Sequence, residues 1–163
     1  MQLEIPLETI AAVKRIAADT HQRVIINPAP AQFLSGDLLS GLFLITPNET
    51  EAELLTGIPV TDLESASRAA DFFLNKGVEN VVITMGKQGA YFKNVSSSFM
   101  VPAPVVRAVD TTAAGDTFSG ALTVAITEGM DWESALLFAV KAASISVTRM
   151  GAQASVPYRS EIL

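Results

Sequence analysis

Asp116 is the side chain with the most obvious chemical use. It follows the small-residue run Asp110-Thr111-Thr112-Ala113-Ala114-Gly115 and precedes Phe118, Ala121, Leu122, Ala125 and Ile126, which recur at helical spacing. The run therefore reads as the turn that opens a helix. Backbone N–H groups there lack intrahelical partners and carry the positive end of the helix dipole. Ala113, Ala114 and Gly115 have almost no bulk, so an anion can approach the backbone. A carboxylate beside a bound phosphate is repelled unless it has a task there. Accepting the proton of an attacking hydroxyl is such a task. The plain alternative is a cap, because Asp, Thr and Gly are common before helices. The local pattern leaves both open.

The elements around this turn follow from hydrophobic patterning. Met1–Pro6 reads as the end of a strand entering a helix, with Pro6 in the first turn and Ile10, Val13 and Ala17 as an apolar stripe up to about Asp19. Residues 23–27, 42–45, 81–84, 90–93 and 99–101 read as strands, and the uninterrupted apolar run at 42–45 suits a parallel sheet covered on both faces. Asn48 and Glu51 have the spacing of a capping box. Asp62 caps a helix with Ala66, Ala69, Ala70, Phe73 and Leu74 as its buried stripe, ended by Gly77. The Asp116 helix runs to about Glu128. Asp131 caps a further helix to about Thr148, which is apolar on most faces and therefore expected to be buried. Strand and helix signals alternate without an internal repeat or linker. The expectation is one α/β domain over residues 1–163 with a mostly parallel sheet flanked by helices.

Composition narrows the function. Hydrophobic residues make up 49% of the 163, enough for a real core, and the formal net charge is −6. That balance argues against a general binder of nucleic acid or anionic membranes. There is no cysteine, so neither a disulfide framework nor a thiolate metal site is available. No apolar run reaches about 18 residues and no leader pattern opens the chain, so a soluble, cytoplasmic protein is expected.

Four separated segments resemble the ribokinase-like (PfkB) sugar kinases. Asp110-Thr111-Thr112-Ala113-Ala114-Gly115-Asp116-Thr117-Phe118 is similar to that family's second signature. Asn48-Glu49-Thr50-Glu51 is similar to its Asn-x-x-Glu motif, and Thr84-Met85-Gly86-Lys87-Gln88-Gly89 to its Thr-x-Gly-x-x-Gly segment. Gly151-Ala152-Gln153-Ala154-Ser155-Val156-Pro157 resembles its last loop. The resemblance covers nearly the whole chain and implies a ribokinase-like three-layer fold. It implies that Ala113, Ala114 and Gly115 form an anion hole for the transferred phosphoryl group and that Asp116 is the catalytic base, touching nucleotide and sugar. Asn48, Thr84, Met85, Gly86, Lys87, Gln88, Gly89 and Gly115 would line the ATP site. Asn48 and Glu51 would order Mg²⁺ through water. Asp110, Thr112, Ser146, Arg149, Gly151 and Ser155 would hold K⁺, largely through backbone oxygens, with Arg149 giving its carbonyl. Glu4, in a Gln-Leu-Glu-x-Pro segment like one near the middle of those kinases, would contact the sugar.

The implied reaction is ATP-dependent phosphorylation of ribose on its 5-hydroxyl. Family members are roughly twice this length, and their N-terminal half carries most sugar contacts and the lid used for dimerisation. Residues 1–163 correspond to the nucleotide half, truncated on the N-terminal side, and are expected to have little activity alone. Two other readings stay open: a related sugar kinase of the fructokinase or 2-keto-3-deoxygluconate kinase type, or a non-catalytic nucleotide-binding or dimerising fragment. A sheet cut through its middle exposes an edge, so a homo-oligomer is expected.

Overall fold

The computed structural model describes residues 1–162. Helix α1 (Leu7–Asp19) opens the chain and leads to β1 (Ile25–Ile26), then to a short helix α2 (Gly36–Leu39) and β2 (Leu44–Ile45). Helices α3 (Glu49–Thr56) and α4 (Leu63–Asn75) follow, then β3 (Asn80–Thr84), β4 (Gly89–Asn94) and β5 (Ser98–Pro102). The chain closes with α5 (Ala114–Thr127), α6 (Trp132–Ser146) and a short α7 (Arg159–Ile162). The strands form one sheet in the order β1-β2-β3-β4-β5. Ile25 pairs with Leu44 and Leu44 with Asn80, both in parallel. The connections from β3 to β4 and from β4 to β5 are far too short for a parallel crossover, so the sheet is mixed. The expected α/β class and helix-flanked sheet are therefore observed.

The described chain divides into two compact units. One comprises Met1–Thr84 and Tyr91–Phe99, the other Met85–Ala90 and the chain from Met100 onward. In the first, Ile10, Ile26, Leu44, Ile45, Phe73, Val81 and Ile83 are completely buried. Each such side chain contributes about 1.5–3 kcal/mol by leaving water. Asn80 is the polar exception in this core. Its amide donates to the Phe43 carbonyl at 2.9 Å and its oxygen accepts from Asn94 at 3.1 Å, so its burial is compensated. Ion pairing of Lys93 with Asp71 (2.7 Å) ties β4 to α4.

In the second unit α5 packs along α6. Phe118, Leu122 and Ala125 on one helix and Ala135, Leu136, Ala139 and Val140 on the other are buried. Gly129, at φ +79°, turns the chain between them. Its N–H bonds to the Ile126 carbonyl while Met130 bonds back to Ala125, the reciprocal pair that stops a helix.

The structure corrects several local expectations. Helix α6 is not buried all round: Leu137 remains 43% exposed, facing away from the stripe that packs on α5. It also stops at Ser146 rather than Thr148. Val13, expected inside, is 40% exposed. Residues 1–6 form no regular strand. Met1 nevertheless behaves as one residue of a parallel partner to β1, its N–H bonding to Ile25 and its carbonyl accepting from Asn27 at 2.9 Å.

Candidate functional site

Within the second unit the start of α5 is built unlike most other helix starts. Ser35, Asn48, Asp62 and Asp131 each cap their helix with a side-chain oxygen. Helix α5 begins instead at Ala113, which has no side-chain acceptor and sits in the left-handed region at φ +60°. For an alanine that conformation costs about 1–2 kcal/mol. It leaves backbone donors without capping. The Ala114 N–H reaches the Thr111 carbonyl at 3.2 Å, whereas those of Ala113 and Gly115 meet no acceptor among the described residues. Gly115 and Asp116 are exposed, with Asp116 the third residue of the helix. A Cβ added at Gly115 would meet nothing within 4 Å, so the fold itself does not demand glycine there. Open donors, a strained hinge and a glycine without a structural reason are what a phosphate-sized anion requires.

Thr117 sharpens this picture. Its hydroxyl is buried and has no partner among the described residues. Other helical threonines return the hydroxyl to a carbonyl one turn back, Thr56 to Ala52 and Thr123 to Ser119, both at 2.7 Å. An unanswered buried hydroxyl costs about 1–3 kcal/mol, so the α5 turn carries a second local penalty.

The turn is held from behind by the segment after α6. Val147 accepts from the N–H groups of Val109 (2.7 Å) and Asp110 (3.2 Å). The Asp110 carboxylate accepts from the Thr112 N–H and, 41 residues on, from the Gly151 N–H, each at 2.9 Å. Hydrogen bonds from Thr112 and Gly151 hold the Asp110 carboxyl below its ordinary range, so it is ionised at neutral pH. Ser146 and Ser155 are completely buried and each donates its hydroxyl to a carbonyl three residues back, Ala143 and Ala152, leaving oxygen lone pairs open. The structure thus brings Asp110, Thr112 and Gly151 together, in one unit with Ser146, Arg149 and Ser155. One carboxylate with hydroxyl and carbonyl oxygens is the donor chemistry of a hard, weakly charged cation. It does not suit a transition metal, and no cluster of three His, Cys, Asp or Glu exists among the described residues.

The same unit holds Met85–Gly89. Gly86, Lys87 and Gln88 form an exposed 3-10 turn, closed by a bond from the Met85 N–H to the Gly89 carbonyl at 2.8 Å. The Met85 side chain is buried, so only its backbone is available to a ligand. Gly89 has its own structural reason. At φ +114° a Cβ would stand 2.0 Å from the Val101 carbonyl oxygen.

The first unit holds Glu4, Asn48, Glu51 and Thr84. Asn48, past the end of β2, and Thr84, the last residue of β3, form a parallel bridge, with the Thr84 N–H on Pro47 at 3.0 Å. The pair therefore lies at the carboxyl end of the parallel strands, where α/β sheets bind ligands. Asn48 and Glu51 complete a capping box, the Glu51 N–H on Asn48 Oδ1 and the Asn48 N–H on Glu51 Oε2, both 2.8 Å. Burial pushes the Glu51 carboxyl up, and the Asn48 N–H opposes it. One carboxylate oxygen stays outside the box, which fits an ion that keeps most of its water, such as Mg²⁺. Glu4 is exposed. Its neighbour Leu3 is pinned by Ala29 and by the Gln32 amide at 2.9 Å.

Sequence reasoning missed Val147, Gln32 and the hinge at Ala113. Nothing in the local pattern around Val147 or Gln32 marks them, because Val147 acts through its backbone carbonyl and Gln32 through a side-chain bond to the carbonyl of Leu3, 29 residues away.

With this geometry in view, comparison with known proteins is direct. Residues 1–159 match the family described as pfkB family carbohydrate kinase. A ribokinase of Haemophilus influenzae is 48% identical over 163 residues, all of this chain and 53% of that protein. A ribokinase of Staphylococcus aureus is 45% identical over 162 residues, again 53% of its length. The structure of an Arabidopsis thaliana ribokinase complexed with ribose and ATP superposes with a TM-score of 0.94 at 33% identity, covering 99% of this chain and 53% of that one. The chain spans about half the length of the relatives it matches. On the family match and these identities, the chain belongs to the pfkB family of carbohydrate kinases.

Proposed function

We propose that this chain is the nucleotide-binding, phosphoryl-transferring part of a ribokinase, acting in the cytoplasm as a homo-oligomer and transferring the γ-phosphoryl of ATP to the 5-hydroxyl of ribose. The observation that carries the proposal is the start of α5: open N–H donors at Ala113 and Gly115 with Asp116 in the first turn. Those donors hold the phosphoryl oxygens as charge develops on them, and their fixed orientation needs no rearrangement during transfer. Asp116 accepts the proton of the sugar hydroxyl as the new O–P bond forms and the bond to the leaving ADP oxygen breaks. The 3-10 turn at Gly86–Gln88 and the Thr84 end of β3 bind the nucleotide. Glu4 binds the sugar. Asn48 and Glu51 would hold Mg²⁺ through water, and the ion would offset phosphate charge. Asp110, Thr112, Ser146, Ser155 and the carbonyls of Arg149 and Gly151 would hold K⁺, which would add positive field beside the turn.

Calorimetric titration of ATP·Mg²⁺, with K⁺ present, tests the reading. The 163-residue chain should bind, Asp116→Ala should bind within about twofold of it, and Gly115→Val should not bind while melting as the parent does. Failure of the parent chain to bind would overturn the nucleotide reading. Ribose turnover by these 163 residues alone is expected to be negligible. Turnover near that of a full-length relative would show that the matched half is sufficient. A second reading, another sugar kinase of the same family, differs only in the acceptor sugar; a panel of pentoses and hexoses given to an active preparation would separate the two.

A further inference from the structure

The C-terminal turn has no part in the function just proposed, yet two of its charged side chains, Arg159 and Glu161, pair with residues of the second unit. Arg159 pairs with Glu128 at the end of α5 and lies over the Phe138 ring at 5.7 Å. Glu161 accepts from the Tyr158 N–H at 2.7 Å and pairs with the Arg149 guanidinium. Both members of the second pair are about one-third exposed, at 34% and 37%. Exposed pairs of that kind stabilise a fold little, so stability alone does not account for it.

The position of Arg149 does. Its N–H bonds to the Ser146 carbonyl at 3.0 Å, and two residues later the Gly151 N–H holds Asp110. Arg149 is therefore a cationic side chain inside the segment read above as a cation-holding loop. An unneutralised guanidinium a few ångströms from such a loop would repel the ion. Here the guanidinium is drawn off to Glu161, which neutralises it and leaves the carbonyl side of the residue to the loop.

We propose that Glu161 is a positioning residue: it keeps the Arg149 guanidinium away from the cation loop, so the C-terminal turn sets how much K⁺ the site needs. The inference rests on the nucleotide reading above, and two substitutions separate it from a merely structural role. Glu161→Gln removes the charge and keeps the shape. Arg149→Met removes the guanidinium and keeps the carbonyl.

The experiment is ATP·Mg²⁺ binding by calorimetry across a K⁺ series, with choline chloride holding ionic strength constant. Glu161→Gln should raise the K⁺ concentration for half-maximal enhancement about tenfold, with ATP affinity at saturating K⁺ within about twofold of the parent. Adding Arg149→Met to Glu161→Gln should return the K⁺ requirement to within about twofold of the parent. An unchanged K⁺ requirement in Glu161→Gln, or a double variant no better than the single one, would overturn the proposal. A parent chain that binds ATP without responding to K⁺ would overturn it and leave the nucleotide reading standing. A parent chain that binds no ATP would overturn both.

Discussion

At the start of α3, Asn48 and Glu51 answer each other's N–H groups; at the start of α5, the N–H groups of Ala113 and Gly115 meet no acceptor among the described residues. Both turns follow a small or polar run, and both carry an acidic residue at the third helical position, Glu51 and Asp116. The difference lies in what the residue before the helix can offer. Asn48 sits in extended backbone with a side-chain oxygen over the first turn, so α3 is complete by itself. Ala113 has no such oxygen and is held in a left-handed conformation by its neighbours. The first arrangement stabilises a helix and leaves one carboxylate oxygen for a hydrated ion. The second leaves the helix start short of hydrogen bonds until an anion arrives. Stability and anion binding compete for the same N–H groups, and the two turns resolve the competition in opposite directions.

The largest effect should come from Asp116→Ala in an active, sugar-phosphorylating preparation. Loss of a general base should cut kcat by about 10²- to 10⁴-fold, with ATP affinity little changed. Steady-state assay with and without the substitution checks it, and a loss confined to KM would remove Asp116 from the chemistry. Next in size is Asn48→Ala, which opens the α3 box and should destabilise the chain by about 0.5–2 kcal/mol in thermal or urea melts. Ala113→Gly should do the reverse, raising the stability of the ligand-free chain by up to about 1 kcal/mol through release of the left-handed strain. If both substitutions destabilise equally, the contrast between the two turns is wrong.

The smallest effect is a pH dependence of opposite sign. Burial raises the Glu51 carboxyl, so its contribution to stability is present below the unfolded carboxyl pKa and is lost as pH rises through the folded value. Hydrogen bonds lower the Asp110 carboxyl, so its contribution is present above the ordinary aspartate range and is lost as pH falls through the folded value. Melting temperatures from about pH 3 to pH 7 should therefore show wild type losing ground to Glu51→Gln as pH rises and gaining on Asp110→Asn over the same span. Parallel curves would show that neither carboxyl is shifted by folding.

Much of the molecule was legible from spacing. Asn48 with Glu51, Asp62 before α4, Asp131 before α6 and Gly129 after α5 are determined by bonds reaching three or four residues, and their side-chain types announce them. The Asp116 turn was legible for the same reason, since small residues before an apolar helical stripe form a local pattern. What stayed hidden is long-range. The bond from Gly151 to Asp110 spans 41 positions, and the pairing of Arg149 with Glu161 depends on where the short α7 comes to rest. Burial around α6 misled for a related reason: an all-apolar run does not say which side meets α5, and Leu137 ends in solvent. The amino-acid sequence by itself determined where α3, α4, α5 and α6 start and which residue types stand at each start. Only the tertiary structure decided that Ala113 would take the left-handed form, that Thr117 would be buried without a partner, and that the loop after α6 would hold the Asp110 turn. Each of these depends on packing between segments far apart in the chain, and backbone donors and acceptors carry no residue type that could announce them.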